Sequence, residues 1–293
     1  MTKFLLDSGD PDEYKKLSET AKEAGSELWG STTNPSLIAK KLAGKKLTVK
    51  EAFALQKDLV LEILSIVPGA VSAEVYSETN TKAEEMTEQG KEIATWHERV
   101  VVKLPTTIEG FKARTALRKE KIMTNNTLVF SQEQIFAICL HEQIIQKLYG
   151  PTNNLFPPFI SPFVGRLDDI GEDGMSLVEH GMRIKESFTV AHWMLEASVR
   201  TKDHIKRGID VGTELITAPM KIYDEWFAAK DTPMGYTKGI TPLPIWVPAK
   251  ELTTISTIEE FMHALTFGIL NINHVLTEKG IAKFVEDWKA ILV

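Results

Sequence analysis

The stretch that decides the fold reads Val100-Val101-Val102-Lys103-Leu104-Pro105-Thr106-Thr107. Its valine run is β-branched and apolar on both faces, which favours a buried strand in a parallel sheet covered by helices. Lys103 stands at the C-terminal end of that strand. Because an unpaired buried ammonium is costly, a lysine held there should have a lowered pKa and attack carbonyls as a neutral amine. The alternative is that Lys103 reaches a solvated strand end and stays charged.

Strands and helices alternate on both sides of this stretch, with short connections. About eight strands are predicted, at residues 4–6, 27–30, 69–75, 99–104, 122–130, 159–164, 191–199 and 213–217. This alternation predicts a parallel sheet, and eight strands favour an α/β fold of the (β/α)8 TIM-barrel kind. A doubly wound open sheet is the alternative, but no glycine-rich dinucleotide fingerprint follows the first strand.

The C-terminal part of the chain departs from this alternation. Residues 232–256 are rich in proline and glycine and are interpreted as a loop excursion that could lie over the mouth of the barrel. Additional helices are predicted within residues 257–293. Residues 1–293 are therefore predicted to form a single barrel domain with extra C-terminal helices.

The composition argues against several classes of protein. The net charge of −6 and the isoelectric point near 5.7 disfavour nucleic acid and anionic membranes as partners. The single cysteine, Cys139, lies in an apolar run and can form no internal disulfide, so a reducing compartment such as the cytoplasm is expected. The N-terminal apolar run is too short for a signal peptide, and no stretch approaches the length of a membrane span.

Polar side chains are concentrated where the predicted strands end. In a (β/α)8 barrel the C-terminal ends of all strands meet at one mouth, where the catalytic loops gather. Taken singly, such residues are ordinarily helix caps, turn formers or surface charges. Their joint placement at one mouth is what indicates a site. These residues are Asp7, Asn34, Glu74, Lys103, Asn125, Thr127, Ser161, Arg166, Ser198 and Arg200.

The chemistry of a nucleophilic lysine gives a reason for each residue type. An amine that attacks a ketone forms a carbinolamine and then an iminium, which is an electron sink for cleavage of a carbon–carbon bond. Asp7 could move the proton of the hydroxyl at the breaking bond, and Glu74 could act in dehydration through a water held by Thr127. Amides and hydroxyls would hold substrate hydroxyls, while two arginines and a serine suit a phosphate.

Seven stretches, in the same order along the chain, resemble the transaldolase family. They are Asp7–Asp10, Thr32–Leu37, Val71–Val75, Val102–Thr107, Asn125–Ser131, Ser161–Arg166 and Ala197–Arg200. The run Leu276–Gly280, followed by Phe284 and Asp287-Trp288, is similar to the closing helix of that family.

The resemblance implies a barrel of the class I aldolase kind, in which Lys103 forms a Schiff base and Asp7 is the acid/base at the C4 hydroxyl. It implies that Glu74 and Thr127 handle water. It also implies two groups of substrate-binding residues, with Asn34, Asn125 and Ser161 on the dihydroxyacetone part and Arg166, Ser198 and Arg200 on the phosphate.

The implied reaction is transfer of a dihydroxyacetone unit from fructose 6-phosphate or sedoheptulose 7-phosphate to an aldose phosphate, as in the pentose phosphate pathway. No metal and no organic cofactor are implied, because the lysine itself supplies the electron sink. The expected partners are small-molecule sugar phosphates. The sequence does not decide whether the protein forms a homo-oligomer, because apolar residues such as Phe267 could mediate association or pack on the barrel.

A related branch of the family cleaves fructose 6-phosphate to free dihydroxyacetone and glyceraldehyde 3-phosphate. The resemblance implies that this branch has Gln at the position of Glu74 and Tyr at the position of Phe163. Because this chain has Glu and Phe there, it is more similar to the branch that performs transfer. Phe163 is therefore a candidate substrate-binding residue, although barrel packing explains it equally well. An aldolase for another phosphosugar is a further alternative. A barrel that binds sugar phosphates without turnover would need neither Lys103 nor the carboxylates.

Two features depart from the family pattern. Segment 141–158 is longer than the usual connection and more polar at its end. Glu196 stands where a small residue is expected, and strand alternation would place its side chain on the same face as Ser198. An inward carboxylate there would oppose phosphate, so both features bear on the identity of the substrate.

Overall fold

Eight parallel strands form a closed barrel in the computed structural model, which describes residues 2–151, 155–228 and 240–293. The barrel strands are β1 (Lys3–Asp7), β2 (Leu28–Thr32), β3 (Val71–Glu74), β4 (Val100–Pro105), β5 (Thr124–Val129), β6 (Phe159–Pro162), β8 (Trp193–Glu196) and β9 (Leu215–Ala218). Each barrel strand pairs with the next one, and β9 pairs with β1 to close the ring. The predicted (β/α)8 TIM barrel is confirmed, and the open sheet is excluded.

Helices follow the strands and cover the barrel. They are α1 (Pro11–Glu23), α2 (Pro35–Lys41), α3 (Val49–Ile66), α4 (Ala83–Ala94), α5 (Ile108–Lys119), α6 (Gln132–Tyr149), α7 (Val164–Asp168), α8 (Gly174–Glu186), α9 (Lys202–Val211), α10 (Met220–Ala228), α11 (Ile258–Thr266) and α12 (Val275–Lys289). Asp10 is the N-cap of α1 and Ser131 that of α6, where Ser131 forms a capping box with Gln134. Such caps satisfy the first backbone amides of each helix and fix where each mouth loop ends.

Strand β4 places the lysine at the level of the other strand-end polar residues. All six residues of β4 are buried, as the valine run predicts. Lys103 is in register with Glu74 of β3 on one side and with Asn125 of β5 on the other. Because paired residues of neighbouring parallel strands lie side by side, these three polar residues form one row across the barrel.

The backbone is irregular near the mouth ends of two strands, within β5 and just after β8. Leu128 and Ser198 have φ angles of 57° and 59°, which L-residues seldom adopt. The register between β5 and β6 also shifts between Asn126 and Val129. Such irregularities re-aim side chains at the end of a strand and are common next to active sites.

The opposite end of the barrel is filled by aromatic rings. Trp29, Phe156, Phe159 and Trp193 pack with ring centroids 5.2–5.9 Å apart. Phe156 belongs to the segment 141–158, of which residues 152–154 lie outside the described part. The described end of this segment therefore packs below the barrel, at the end opposite to the mouth.

The C-terminal part adds helices, as the sequence predicts. Strand β10 (Thr241–Pro242) pairs with β7 (Glu172–Asp173) outside the barrel, and a 3₁₀ helix spans Lys250–Thr254. Within the predicted excursion 232–256, residues 232–239 lie outside the described ranges, so that part of the assignment stays a prediction.

One local assignment differs from the sequence analysis. Arg166, expected near a strand end, lies in the short helix α7 because β6 stops at Pro162. Within the described ranges, none of the helices combines the length and apolar character needed to cross a membrane.

Candidate active site

A small cavity of about 90 Å³ opens at the mouth of the barrel. The cavity is lined by Asp7, Thr32, Asn34, Lys103, Ser161, Phe163, Arg166, Leu195, Ala197, Ser198 and Thr217. Seven of these are predicted site residues, namely Asp7, Asn34, Lys103, Ser161, Phe163, Arg166 and Ser198. The other four, Glu74, Asn125, Thr127 and Arg200, lie outside the lining.

Lys103 is buried and paired with a carboxylate. Its Nζ atom lies 3.0 Å from Glu74 Oε2, and both side chains are at most 3% exposed. The same Nζ donates a hydrogen bond of 3.2 Å to the carbonyl of Thr33. Burial raises the pKa of Glu74, although the charge of Lys103 opposes this shift. The alternative of a solvated lysine does not fit this burial.

Asp7 is the carboxylate that lines the cavity. Burial raises the pKa of Asp7, while the charge of Lys103 and a hydrogen bond from Thr32 oppose the shift. The Thr32 hydroxyl donates to Asp7 Oδ1 over 2.7 Å. A raised pKa makes it easier for a carboxylate to take up a proton, which suits a residue that must accept a proton and return it.

Asn125 and Thr127 lie on β5, next to the lysine strand. Ser161 Oγ donates to Asn125 Oδ1 over 2.7 Å, and Asn125 Nδ2 donates to Ser72 Oγ over 3.2 Å. Asn125 therefore reaches the cavity through Ser161, which lines it. The buried Thr127 hydroxyl has no hydrogen-bond partner among the described residues, so it keeps its capacity to bind a small polar group.

Asn34 presents only one half of its amide to the cavity. It is the N-cap of α2, and its Oδ1 accepts a hydrogen bond of 2.9 Å from the backbone amide of Leu37. Because the oxygen already caps the helix, the side-chain NH2 group is the part that remains to meet a substrate oxygen.

Phe163 forms a wall between the two cationic parts of the site. Its ring centroid is 6.0 Å from Lys103 Nζ and 5.3 Å from Arg166 Cζ. Both distances are within the range of cation–π contacts. Arg166 Cζ also lies 5.6 Å from the ring centroid of Phe284 in α12, so the C-terminal helix supports this side of the cavity.

Arg166 and Arg200 are close enough to repel each other. Burial and then the charge of Arg200 lower the pKa of Arg166. Arg200 crosses over Gly165, where a Cβ atom would come within 2.7 Å of Arg200 Nε. Arg200 is half-exposed at the rim and pairs with Asp169 Oδ1 at 2.5 Å. Two adjacent guanidinium groups form a favourable site for a dianion such as phosphate.

Glu196 points away from the cavity, and the expectation that it shares a face with Ser198 is wrong. A Cβ atom at Gly208 of α9 would come within 2.0 Å of Glu196 Oε2, so this carboxylate lies between the barrel and α9. Strand β8 ends at Glu196, and the left-handed φ of Ser198 interrupts the alternation of side chains. Repulsion between Glu196 and a bound phosphate is therefore not expected.

Four lining residues were absent from the sequence-based set: Thr32, Leu195, Ala197 and Thr217. Thr32 could have been predicted, because it belongs to the stretch Thr32–Leu37 that resembles the family. Thr217 carried a weaker signal, as the last residue of the last predicted strand. Leu195 and Ala197 are apolar residues of a barrel strand, a pattern that sequence alone attributes to the core.

Neither the cysteine nor a metal-binding cluster forms a second centre in the parts of the chain that the structure describes. Cys139 is buried in α6, and burial raises its pKa to about 12, so it is a core residue as predicted. Among the described residues, no group of three or more His, Cys, Asp or Glu side chains is arranged to hold a metal ion.

Comparisons with known proteins agree on one family. A family model described as transaldolase/fructose-6-phosphate aldolase matches residues 4–293. A protein of Prosthecochloris aestuarii described as a probable transaldolase is 38% identical over 236 residues, which cover 80% of this chain and 95% of that protein. A probable transaldolase of Chlorobaculum parvum is 35% identical over 285 residues, which cover 97% of this chain and 97% of that protein. A probable transaldolase of Myxococcus xanthus is 33% identical over 290 residues, which cover 99% of this chain and 95% of that protein.

Proposed function

The chain belongs to the transaldolase/fructose-6-phosphate aldolase family and is a transaldolase-type enzyme, and from that premise we propose a specific reaction. A dihydroxyacetone unit is transferred from a ketose phosphate to an aldose phosphate through a Schiff base on Lys103. The donors we propose are fructose 6-phosphate and sedoheptulose 7-phosphate. What supports this most directly is the buried Lys103–Glu74 pair at 3.0 Å, whose lysine lines a cavity together with Asp7 and Arg166.

The first half of the reaction builds the electron sink. A proton passes from Lys103 to Glu74, and the neutral amine attacks C2 of the donor to give a carbinolamine. Protonated Glu74 then returns its proton, through a water held by Thr127, to the C2 hydroxyl, which leaves as water. The product is an iminium that links Lys103 Nζ to C2 of the sugar.

The second half breaks one carbon–carbon bond and makes another. Asp7 removes the proton of the C4 hydroxyl, the C3–C4 bond breaks, and its electron pair moves into the iminium to give an enamine and a free aldose phosphate. The enamine carbon then attacks the aldehyde of the acceptor, and Asp7 returns its proton to the new hydroxyl. Water finally hydrolyses the iminium and releases the new ketose phosphate from Lys103.

The remaining side chains hold the substrate along the cavity. The Asn34 amide and the Ser161 hydroxyl, supported by Asn125, suit the hydroxyls of the dihydroxyacetone part. Arg166, Ser198 and Arg200 suit the phosphate at the other end of the sugar. Phe163 lies between these two ends and would pack against the carbon chain.

An assay with fructose 6-phosphate separates the candidate functions. Transfer predicts that glyceraldehyde 3-phosphate forms rapidly when erythrose 4-phosphate is present and only slowly without it. Cleavage, the second candidate favoured by the shared family, predicts similar rates in both cases and free dihydroxyacetone as a product. Lys103→Met should abolish either reaction while leaving the circular dichroism spectrum unchanged. Full activity in that variant would refute the proposal.

A cytoplasmic site and a place in the pentose phosphate pathway belong to the same proposal. The single buried cysteine suits a reducing compartment, and the reaction consumes and forms phosphorylated sugars. Residues 1–293 would act as one barrel domain, since the C-terminal helix α12 supports Arg166 through Phe284.

A further inference from the structure

Two threonine hydroxyls connect Asp7 to the last strand of the barrel. Thr32 Oγ1 lies 2.7 Å from Asp7 Oδ1 and 2.6 Å from Thr217 Oγ1. Both threonines are at most 2% exposed. Asp7 ends β1, Thr32 ends β2, and Thr217 lies on β9, so the contacts join the three strands at the seam where the barrel closes.

The number of available donors determines the direction of these two hydrogen bonds when Asp7 is ionised. A carboxylate can only accept, so the single proton of the Thr32 hydroxyl points to Asp7 Oδ1. The Thr32 oxygen is then an acceptor for Thr217, whose proton must point to Thr32. Thr217 therefore donates to Thr32, and Thr32 donates to Asp7.

We propose that Thr217 is a positioning residue of the reaction, acting through Thr32 to hold Oδ1 of Asp7 and leave Oδ2 to exchange the substrate proton. This inference rests on the proposed function, because it assumes that Asp7 is the acid/base. A hydrogen-bonded chain strengthens each of its members, so the donor from Thr217 makes Thr32 a better donor to the carboxylate. The two hydrogen bonds stabilise the ionised form of Asp7, which bond cleavage requires. Burial has the opposite effect, because it disfavours the charged carboxylate.

The competing interpretation is that Thr217 simply touches the substrate, since it also lines the cavity. The two roles differ in their coupling to Thr32. A residue that acts only through Thr32 has nothing left to contribute once the Thr32 hydroxyl is gone. A residue that binds the substrate keeps its contribution in either background.

The test is a double-mutant cycle on the full chain with Thr32→Val, Thr217→Val and the double variant. We expect Thr32→Val to lower kcat by about 10- to 100-fold and Thr217→Val by about 3- to 10-fold, the usual effects of losing a charged and a neutral hydrogen bond. The double variant should equal Thr32→Val alone. Thr217→Ser should restore activity. Independent, multiplying effects or a raised KM with unchanged kcat would overturn the inference.

The matched control is Thr213→Val. Thr213 is also buried and lies just before β9. Its hydroxyl donates a hydrogen bond of 2.8 Å to the carbonyl of Gly208 in α9, away from Asp7. This variant loses a comparable buried hydrogen bond, so it should keep kcat within about twofold, because its effect would be on folding alone.

A titration separates failure of this inference from failure of the proposed function. The ¹³C carboxyl signal of Asp7, identified by its loss in Asp7→Asn, can be followed against pH without substrate. The apparent pKa of Asp7 should rise in Thr217→Val and rise further in Thr32→Val, with no change in Thr213→Val. An unchanged titration in Thr217→Val would overturn the inference, whatever the activity of the enzyme.

Discussion

Lys103 and Glu74 form a buried pair of ionisable groups. Two opposite charges at 3.0 Å and at most 3% exposure stabilise each other, but both lose hydration. Burial raises the pKa of Glu74, because a buried carboxylate loses its hydration, and the charge of Lys103 opposes this shift. In the proposed mechanism Glu74 is therefore the group that takes up a proton next to the lysine.

The two arginines give a prediction about substrate charge. Arg166→Met removes the guanidinium that faces the cavity, and we expect KM for fructose 6-phosphate to rise about 10- to 100-fold, since a charge-assisted hydrogen bond is lost. Arg200→Met should have a smaller effect, because Arg200 is half-exposed and paired with Asp169. Steady-state kinetics with fructose 6-phosphate and with unphosphorylated fructose measures this difference.

The control for these variants is Arg183→Met, which changes an exposed arginine of α8. It should leave KM unchanged. An equal increase of KM for the phosphorylated and the unphosphorylated sugar in Arg166→Met would contradict a phosphate-binding role.

Single residues differ in how well the sequence predicts them. Lys103 and Asp7 could be predicted to line a site, because an ionisable residue at the end of an apolar strand is unusual. Thr217 was not, because its contact with Thr32 depends on how β9 meets β1 when the barrel closes. Glu196 was misassigned because the left-handed backbone of Ser198 ends the alternation, and a serine gives no warning of this.

At the scale of elements, α12 is part of the wall behind Arg166 and the proposed phosphate site. Gly280 allows this helix to approach closely, since a Cβ atom there would be 2.5 Å from Leu128 Cδ2 and 2.8 Å from Arg166 Nη1. Thr277 of the same helix donates over 2.9 Å to the carbonyl of Leu128, the residue with a left-handed backbone. The C-terminal helix therefore holds both the irregular end of β5 and the arginine.

Gly280→Ala tests this contact. The added methyl group should push Arg166 and Leu128 aside, lowering the free energy of unfolding by about 1–3 kcal/mol, as overpacking does. KM for fructose 6-phosphate should rise more than kcat falls. Thermal unfolding and kinetics measure both effects, with Lys279→Ala, an exposed neighbour on α12, as the control. Unaltered kinetics in Gly280→Ala would argue against a link between α12 and the phosphate end.

Elements were predictable where their signals are local. Asp10-Pro11 and Ser131 with Gln134 begin helices for reasons that lie within four residues of chain. The short helix α7 was missed because five residues after a strand carry no usable periodicity. Strands β7 and β10 were missed because two-residue strands depend on a distant partner.

At the scale of the whole molecule, Glu196 couples folding to pH. Burial raises its pKa well above the usual value, opposed by the charge of Arg207. The unfolded chain loses this proton near pH 4.3, whereas the folded chain keeps it to higher pH. Its contribution to stability is therefore complete below the unfolded pKa and is lost as pH rises through the folded pKa.

Glu196→Gln removes this dependence, because the amide does not titrate. The free energy of unfolding of the variant relative to the unmodified chain should increase between pH 4 and pH 8 by at least about 1 kcal/mol, since one pKa unit corresponds to about 1.4 kcal/mol. Urea unfolding at several pH values measures this difference. Glu84→Gln, which changes an exposed carboxylate, is the control, and parallel pH profiles for Glu196→Gln and the unmodified chain would contradict the account.

The whole architecture was predictable because it follows from a repeated pattern. Alternation of strands and helices with strands apolar on both faces leaves few arrangements besides a closed parallel barrel. The aromatic packing below the barrel was not predictable, because it brings together rings from residues 29, 156, 159 and 193, which lie far apart in the sequence.

The central claim is that the amine of residue 103 captures the ketose. The most direct measurement is mass spectrometry of peptides after the protein has been incubated with fructose 6-phosphate and reduced with borohydride. We predict a reduced sugar adduct on the peptide that contains Lys103 and none in Lys103→Met. An adduct on another lysine, or no adduct at all with an active protein, would contradict the mechanism.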